Sequence, residues 1–122
     1  MTPLQQALAA WGHPKTDPPS QQQVDDAVAL GETGMFSNRQ VALITELDVM
    51  FVGSLTGKTD KTGGRFTPEA LPFIYDLWQQ WALAGVVPHR DVRHIVELGV
   101  SPGMLAKLTQ ISRSAIYSWM KE

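Results

Sequence analysis

The chain has 122 residues, 43% of them hydrophobic, and contains no cysteine. That composition predicts one folded domain or two very small ones, and it excludes disulfide bonds and thiolate metal sites. The net charge of −2 argues against a nucleic-acid-binding protein, although the charge is segregated: residues 1–57 contain two basic and six acidic side chains, whereas residues 58–122 contain eight and six.

The first 57 residues predict four short helices. The first begins near Pro3 and ends at Gly12, the second covers residues 21–32 after the N-cap Ser20, and the third covers residues 38–47 after the N-cap Ser37. A fourth short helix follows a tight turn, over about residues 48–57. Apolar residues at helical spacing share one face of the first two helices: Leu4, Leu8 and Trp11 in the first, and Val24, Ala27, Val28 and Gly31 in the second.

Residues 58–67 have the composition of a basic, glycine-rich arm. Lys58, Lys61 and Arg65 outnumber Asp60 in this segment. Such an arm crosses or enters the minor groove of DNA in other proteins, and an ordinary surface loop is the alternative. A nucleotide-binding loop is excluded, because the position five residues before Gly57, where that motif needs glycine, is Val52 and no strand precedes it.

The C-terminal part predicts four more helices, of which the first is the longest in the chain. Thr67, with Pro68 at the first helical position, opens it, and it extends to about residue 84. Its broad apolar stripe is expected to face the core rather than a partner: Leu71, Ile74, Tyr75, Trp78, Trp81 and Ala82. Three shorter helices follow, over about residues 91–99, 101–110 and 112–121. No alternating strand pattern of convincing length occurs, so the chain is predicted to be all-α.

The last two predicted helices resemble the helix-turn-helix motif of phage and bacterial repressors. In that motif a small residue in the first helix lets the second helix cross closely at a steep angle. The matching apolar positions are Leu105, Ala106, Leu108, Ile111, Ile116 and Trp119. The turn residue is usually glycine, because it needs a positive φ angle, whereas here it is Gln110.

The first residues of the second helix enter the major groove in that motif. In this chain they are Ser112, Arg113 and Ser114, followed one turn later by Tyr117 and Ser118. Arginine pairs with guanine through two hydrogen bonds, and serine pairs with several base edges. Lys107 and Lys121 suit phosphates. Two simpler alternatives stay open: Ser112 only caps its helix, or the whole polar face is merely solvated.

A second copy of the pattern occurs 64 residues earlier. Residues 37–55 align with residues 101–119, and apolar character is kept at the matching positions. The identical residues are Ser37 and Ser101, Ala42 and Ala106, Thr45 and Thr109, and Ser54 and Ser118. The repeat predicts two helix-turn-helix units in tandem, over about residues 37–57 and 101–121.

The first copy offers different chemistry to DNA. Its groove-facing residues would be Asp48, Val49, Met50, Gly53 and Ser54, with Arg39 and Gln40 suited to backbone contacts. Two interpretations remain open. In one, Val49 and Met50 contact the thymine methyl groups of a T-rich half-site, which Arg39, Gln40 and the basic arm favour. In the other, the unit has lost its readout of bases, and Val49, Met50 and Phe51 bury a protein partner.

The segment QVALITELDVMFVGSLTGKTDKTGGRFTPEAL, residues 40–71, is similar to immunity repressors of temperate actinobacterial phages. The resemblance extends in outline over residues 20–121. It implies a small transcriptional repressor with no separate ligand domain, acting in the cytoplasm of the bacterial host. The first residues of the chain lack the basic and apolar regions of a signal peptide, and no apolar run approaches the length of a membrane-spanning helix.

We therefore expect an all-α protein with an N-terminal helical region (residues 1–57), a basic arm (58–67) and a C-terminal region (68–122). It is predicted to bind an asymmetric site in double-stranded DNA through two unlike units. A monomer is favoured over a dimer, and no cofactor, metal, membrane or small-molecule ligand is expected. The alternative is a protein-interaction or dimerisation module, in which the first unit docks a partner and only the second, or neither, binds DNA. Enzyme activity is not expected, because the three histidines, His13, His89 and His94, belong to no plausible catalytic constellation.

Overall fold

Helices form all the regular structure in residues 2–57 and 67–121, the part of the chain that the computed structural model describes. Eight α-helices and one short 3-10 helix lie in these ranges, and no strand does. The prediction of an all-α fold is therefore confirmed. None of the helices described is both long enough and apolar enough to cross a membrane.

The chain divides into two compact units, Met1–Gly63 and Gly64–Glu122, called here the N-terminal and C-terminal units. The boundary falls within the segment predicted as the basic arm. The helices of the N-terminal unit are α1 (Pro3–Gly12), α2 (Gln21–Glu32), α3 (Asn38–Thr45) and α4 (Val49–Thr56). The C-terminal unit contains the 3-10 helix (Pro68–Ala70), α5 (Leu71–Ala84), α6 (His89–Glu97), α7 (Pro102–Thr109) and α8 (Arg113–Met120).

The first three helices begin with the same reciprocal cap. In each, the N-cap hydroxyl accepts a hydrogen bond from the backbone N–H three residues later, and the glutamine at that later position accepts the N–H of the cap residue. The pairs are Thr2 with Gln5, Ser20 with Gln23, and Ser37 with Gln40. Two backbone donors that a helix start leaves open are thereby satisfied, which fixes where these helices begin.

The core of the N-terminal unit differs from the predicted apolar faces. In α1 the buried residues are Leu4, Ala7 and Ala10, so the expectation that Leu8 and Trp11 share the face of Leu4 is wrong as a description of the core. Two of the three buried residues are thus small alanines, Ala7 and Ala10. In α2, Gln23 and Leu30 are buried with Ala27 and Gly31, whereas Val24 and Val28 are only half-buried.

A close approach of α2 and α4 depends on Gly31. A Cβ atom at that position would lie 2.6 Å from Cγ2 of Thr56, so no larger residue fits without a shift. The hydroxyl of Thr56 donates to Oδ1 of Asn38 at 3.0 Å. The end of α4 is thus tied to the start of α3 and packed on the end of α2.

The buried Gln23 side chain joins three parts of the N-terminal unit. Its Oε1 accepts the backbone N–H groups of Thr16 at 3.0 Å and of Ser20 at 2.9 Å. Its Nε2 donates to the carbonyl of Thr45 at 3.0 Å, at the end of α3. Only 1% of the residue is exposed. Because both ends of the amide are satisfied, burial of this polar group is compatible with a stable core.

The long helix of the C-terminal unit starts later than predicted. Thr67 does not cap it: the hydroxyl donates to the carbonyl of Leu98 at 2.8 Å, and Pro68 begins the 3-10 turn instead. The buried residues of α5 are Leu71, Ile74 and Leu77. The expected stripe is therefore correct only in the first half of the helix. Tyr75 and Trp78 are half-buried, and Trp81 and Ala82 are exposed.

Candidate nucleic-acid interface

Two pairs of short helices, α3 with α4 and α7 with α8, are joined by turns of the same geometry. The turn residue is Glu46 in one pair, at φ 56° and ψ 35°, and Gln110 in the other, at φ 62° and ψ 14°. Each donates its N–H to the carbonyl four residues earlier, that of Ala42 or Ala106. They are the only non-glycine residues with positive φ in the described ranges. The conformation that the sequence pattern demanded of Gln110 is thus present, without the glycine that usually adopts it.

The packing of the two pairs repeats in the same register. The aligned residues Val41 and Leu105, Ile44 and Leu108, Leu47 and Ile111, and Val52 and Ile116 are all buried. Thr45 and Thr109 both donate their hydroxyl to the carbonyl four residues earlier, at 2.7 Å. The repeat found in the sequence therefore extends to burial, turn conformation and side-chain hydrogen bonds.

The polar face of the C-terminal pair is accessible. All seven residues predicted there as DNA contacts are exposed: Lys107, Ser112, Arg113, Ser114, Tyr117, Ser118 and Lys121. Ser112 is the N-cap of α8, and its hydroxyl accepts the N–H of Ala115 at 3.1 Å. This hydroxyl thus has the capping role that was one of the two alternatives for it. Of the other six exposed side chains, four lie on the first two turns of α8, and Lys107 and Lys121 lie at the ends of α7 and α8.

The opposite face of α8 is held firmly. Ile116 and Trp119 are buried, and the ring of Trp119 packs against that of Trp81 with centroids 4.8 Å apart. His89 Nδ1 lies 3.4 Å from the carbonyl oxygen of Trp119. Aromatic packing and burial thus fix α8 on the rest of its unit and keep its polar side towards solvent.

Arg113 lies over the first turn of α7. An ideal Cβ atom built on Gly103 would lie 2.7 Å from Nη2 of Arg113 and 3.5 Å from its Cζ and Nε. The guanidinium group therefore fills the place where a side chain at position 103 would begin.

The N-terminal pair exposes four large apolar side chains. Met50 is 82% exposed, and Leu43, Val49 and Phe51 are exposed as well. Asp48, expected in the groove, is the N-cap of α4, and its Oδ1 accepts the N–H of Met50 at 2.8 Å. Leu43 was missed from sequence, whereas Phe51 had been named there with Val49 and Met50 as an apolar group for a protein partner.

Other predicted contacts of this pair have mixed positions. Arg39 is exposed on the first turn of α3. Ser54 is exposed, and its hydroxyl donates to the carbonyl of Phe51 at 2.7 Å. Gln40 is only 5% exposed, and its Oε1 accepts the N–H of Ser37 at 2.8 Å. The expectation of a DNA backbone contact by Gln40 is therefore withdrawn, because the cap engages its amide oxygen within the fold. Lys58, Lys61 and Arg65 of the basic arm lie outside the described residues.

His13 and Asp26 are in contact outside the two helix pairs. His13 Nδ1 lies 2.8 Å from Oδ2 of Asp26, which ties the end of α1 to α2. Within residues 2–57 and 67–121, no group of three or more histidine or acidic side chains is arranged to hold a metal ion.

No known protein family, curated protein or solved structure matches the chain. Support for a function comes from the geometry and chemistry of the two helix pairs.

Proposed function

We propose that this protein binds double-stranded DNA sequence-specifically and acts as a transcriptional repressor of the temperate-phage type. In this proposal each helix pair is a helix-turn-helix motif. The observation that carries it is the exposed polar face of α8, which directly follows a turn held in the left-handed conformation at Gln110. In helix-turn-helix proteins, the helix that enters the major groove follows such a turn and presents such an exposed polar face.

The exposed side chains of the C-terminal pair fall into two groups, those suited to base edges and those suited to phosphates. Ser114 and Ser118 carry small hydroxyls that donate to or accept from base edges, and Tyr117 adds a phenol and an apolar ring. Lys107, at the end of α7, and Lys121, after α8, supply charge for phosphates on either side. Because phosphate contacts release counterions, such binding weakens steeply with salt.

The experiment is selection of bound duplexes from a random pool, followed by affinity measurements on the selected site at several salt concentrations. Tyr117→Ala should weaken binding to the selected site and alter the preference at one or two base pairs. Lys107→Ala should weaken binding to every duplex alike. Arg93→Ala, an exposed cation on α6, serves as the control and should have little effect. Absence of an enriched sequence, with no salt dependence of binding, would contradict the proposal.

The proposal assigns the N-terminal pair to a second, unlike half-site. Val49 and Met50 would contact thymine methyl groups. Replacing one thymine at a time by deoxyuracil removes a single methyl group and so tests each contact separately. Wild-type protein should lose affinity when one or two particular thymines in the selected site are replaced. Met50→Ala should lose this sensitivity at the thymine that Met50 contacts and keep it at any thymine that Val49 contacts. No loss at any thymine would contradict this assignment.

A protein partner is the second candidate for the N-terminal pair. The observation that favours it is the exposed apolar group of Leu43, Val49, Met50 and Phe51 beside the exposed carboxylates of Glu46 and Asp48. Such carboxylates repel phosphates. This candidate predicts that Met50→Lys leaves DNA affinity unchanged or raises it, whereas a thymine-contacting surface loses sequence preference after the same change.

Two unlike motifs on one chain need no partner subunit to span two half-sites. We propose that a single monomer binds an asymmetric site, whereas a dimer with one motif per chain would bind a palindrome. Mixing two lengths of the protein in a gel-shift assay should give two bands and no intermediate band. A hybrid band, or a palindromic selected site, would indicate a dimer instead.

A further inference from the structure

The two helix pairs exchange one cationic side chain between two aligned positions. Position 39 in α3 aligns with position 103 in α7, and position 49 in α4 aligns with position 113 in α8. The N-terminal pair has Arg39 and Val49 at these places, and the C-terminal pair has Gly103 and Arg113. Each pair thus has one arginine, on its first helix in one case and on its second in the other.

In both pairs the arginine is associated with the first turn of the first helix: Arg39 belongs to that turn, and the guanidinium of Arg113 lies over it. Arg39 belongs to the first turn of α3 and is exposed. Arg113 reaches the first turn of α7 because Gly103 has no side chain, and its Nη2 would lie 2.7 Å from a Cβ there. Among the residues that the structure describes, no carboxylate forms an ion pair with Arg113. The positive charge is therefore not neutralised within the described part of the unit.

From this exchange we infer that Arg113 binds a phosphate of the DNA backbone and that Gly103 is its positioning residue. The inference rests on the proposed function. In helix-turn-helix proteins the first helix crosses the sugar-phosphate backbone while the start of the second meets base edges. A guanidinium directed back over α7 lies on the backbone side of that arrangement. A planar guanidinium also pairs with two phosphate oxygens at once.

This assignment changes which residues determine specificity. The sequence pattern alone pairs Arg113 with guanine, because it is the first residue of the second helix. With its guanidinium committed to the backbone, recognition of bases by α8 falls to Ser114, Tyr117 and Ser118. Arg39 and Arg113 then serve the same purpose in the two pairs, each fixing the register of its motif on the duplex.

The test uses the full chain, a duplex selected by the wild-type protein, and a set of duplexes with single base-pair changes. Arg113→Ala should lower affinity by about eightfold at 0.1 M salt and reduce the salt slope by about 0.9, as expected when one phosphate is no longer neutralised. The decrease should be equal on every duplex in the set. A decrease confined to one base pair would overturn the inference and make Arg113 a base-reading residue, and an unchanged affinity would also overturn it.

Substitutions at Gly103 test the inference in a way that distinguishes a lost phosphate contact from a loss of stability. Gly103→Ala places a methyl group where the guanidinium lies, so it should reproduce part of the affinity decrease in the wild-type background and none in an Arg113→Ala background. Alanine is the better helix former, so the melting temperature should not fall. The double change Gly103→Arg with Arg113→Val, which copies the N-terminal pair, should restore the salt slope. A slope that stays low in this variant would contradict the inference.

Failure of the inference differs from failure of the proposed function. If wild-type protein binds no duplex with salt dependence, both are wrong. If it binds the selected duplex and Arg113→Ala changes nothing, DNA binding stands and only the phosphate assignment falls.

Discussion

Glu46 and Gln110, 64 residues apart, hold the same left-handed turn conformation in the two helix pairs, with φ angles of 56° and 62°. The left-handed region costs a residue with a Cβ atom about 1–2 kcal/mol. Both turns nevertheless form, because the apolar residue that follows each one, Leu47 or Ile111, is buried. Burial of an apolar side chain contributes about 1.5–3 kcal/mol, which is enough to hold the turn.

Glycine at the turn should stabilise the C-terminal unit. Gln110→Gly removes the left-handed strain but adds freedom to the unfolded chain, so the net gain should be about 0.5–1 kcal/mol. Gln110→Val, a β-branched residue in the same conformation, should destabilise the unit. Denaturation followed by tryptophan fluorescence is the measurement, because three of the four tryptophans, Trp78, Trp81 and Trp119, lie in this unit. A glycine variant no more stable than wild type would contradict the prediction.

Loss of the buried amide of Gln23 should destabilise the N-terminal unit. Gln23→Leu leaves the N–H groups of Thr16 and Ser20 and the carbonyl of Thr45 without their partner. The expected cost is about 2–4 kcal/mol, because a buried unsatisfied group costs about 1–3 kcal/mol and only Thr45 is buried, whereas water can reach exposed Thr16 and half-buried Ser20. Gln22→Leu, at the exposed neighbouring position, is the control and should be close to neutral. Hydrogen exchange should speed up in α2 and α3 of the Gln23 variant, with α7 and α8 unchanged.

Two serines at the start of α8 should separate capping from recognition. Ser112→Ala removes the cap and should cost about 1 kcal/mol of stability. Ser114→Ala, two residues later and without a capping bond, should leave the melting temperature unchanged or slightly higher. It should instead alter the base preference of the selected duplex. If both variants melt like wild type and bind the same sequences, neither role is correct.

The basic arm should contribute charge rather than sequence preference. Replacing Lys58, Lys61 and Arg65 together by alanine should weaken binding to all duplexes and reduce the salt slope by about one unit for each phosphate that the variant no longer binds. Exposed Arg90 and Arg93 on α6, replaced together, give a control for charge alone. An arm that acts as an ordinary loop would leave both affinity and slope unchanged.

The starts of the helices could be predicted from sequence because capping is local. Ser20 and Ser37 bond to groups only three residues away, so a short segment contains all the information. The turn at Gln110 could be predicted from the spacing of the flanking apolar residues. Its left-handed conformation is set by their burial on both sides rather than by the turn residue itself.

Features that depend on distant residues could not be predicted in the same way. Burial of Gln23 requires Thr45, 22 residues later in the chain. The choice of Ala7 and Ala10 over Leu8 and Trp11 for the core of α1 depends on how closely α2 and α3 approach, which periodicity does not contain. The position of Arg113 over Gly103 likewise joins two helices whose separate patterns give no sign of it.

The repeated register has a consequence for how such a chain diverges. Positions that hold each helix pair together are shared between the copies, whereas exposed positions such as 50 and 114 differ, with Met in one copy and Ser in the other. A substitution at Met50 therefore changes the exposed surface of the N-terminal pair and leaves the packing of both pairs intact. A repeat of this kind separates the positions that pack from the exposed positions that differ, so under the proposed function each copy can recognise a different half-site.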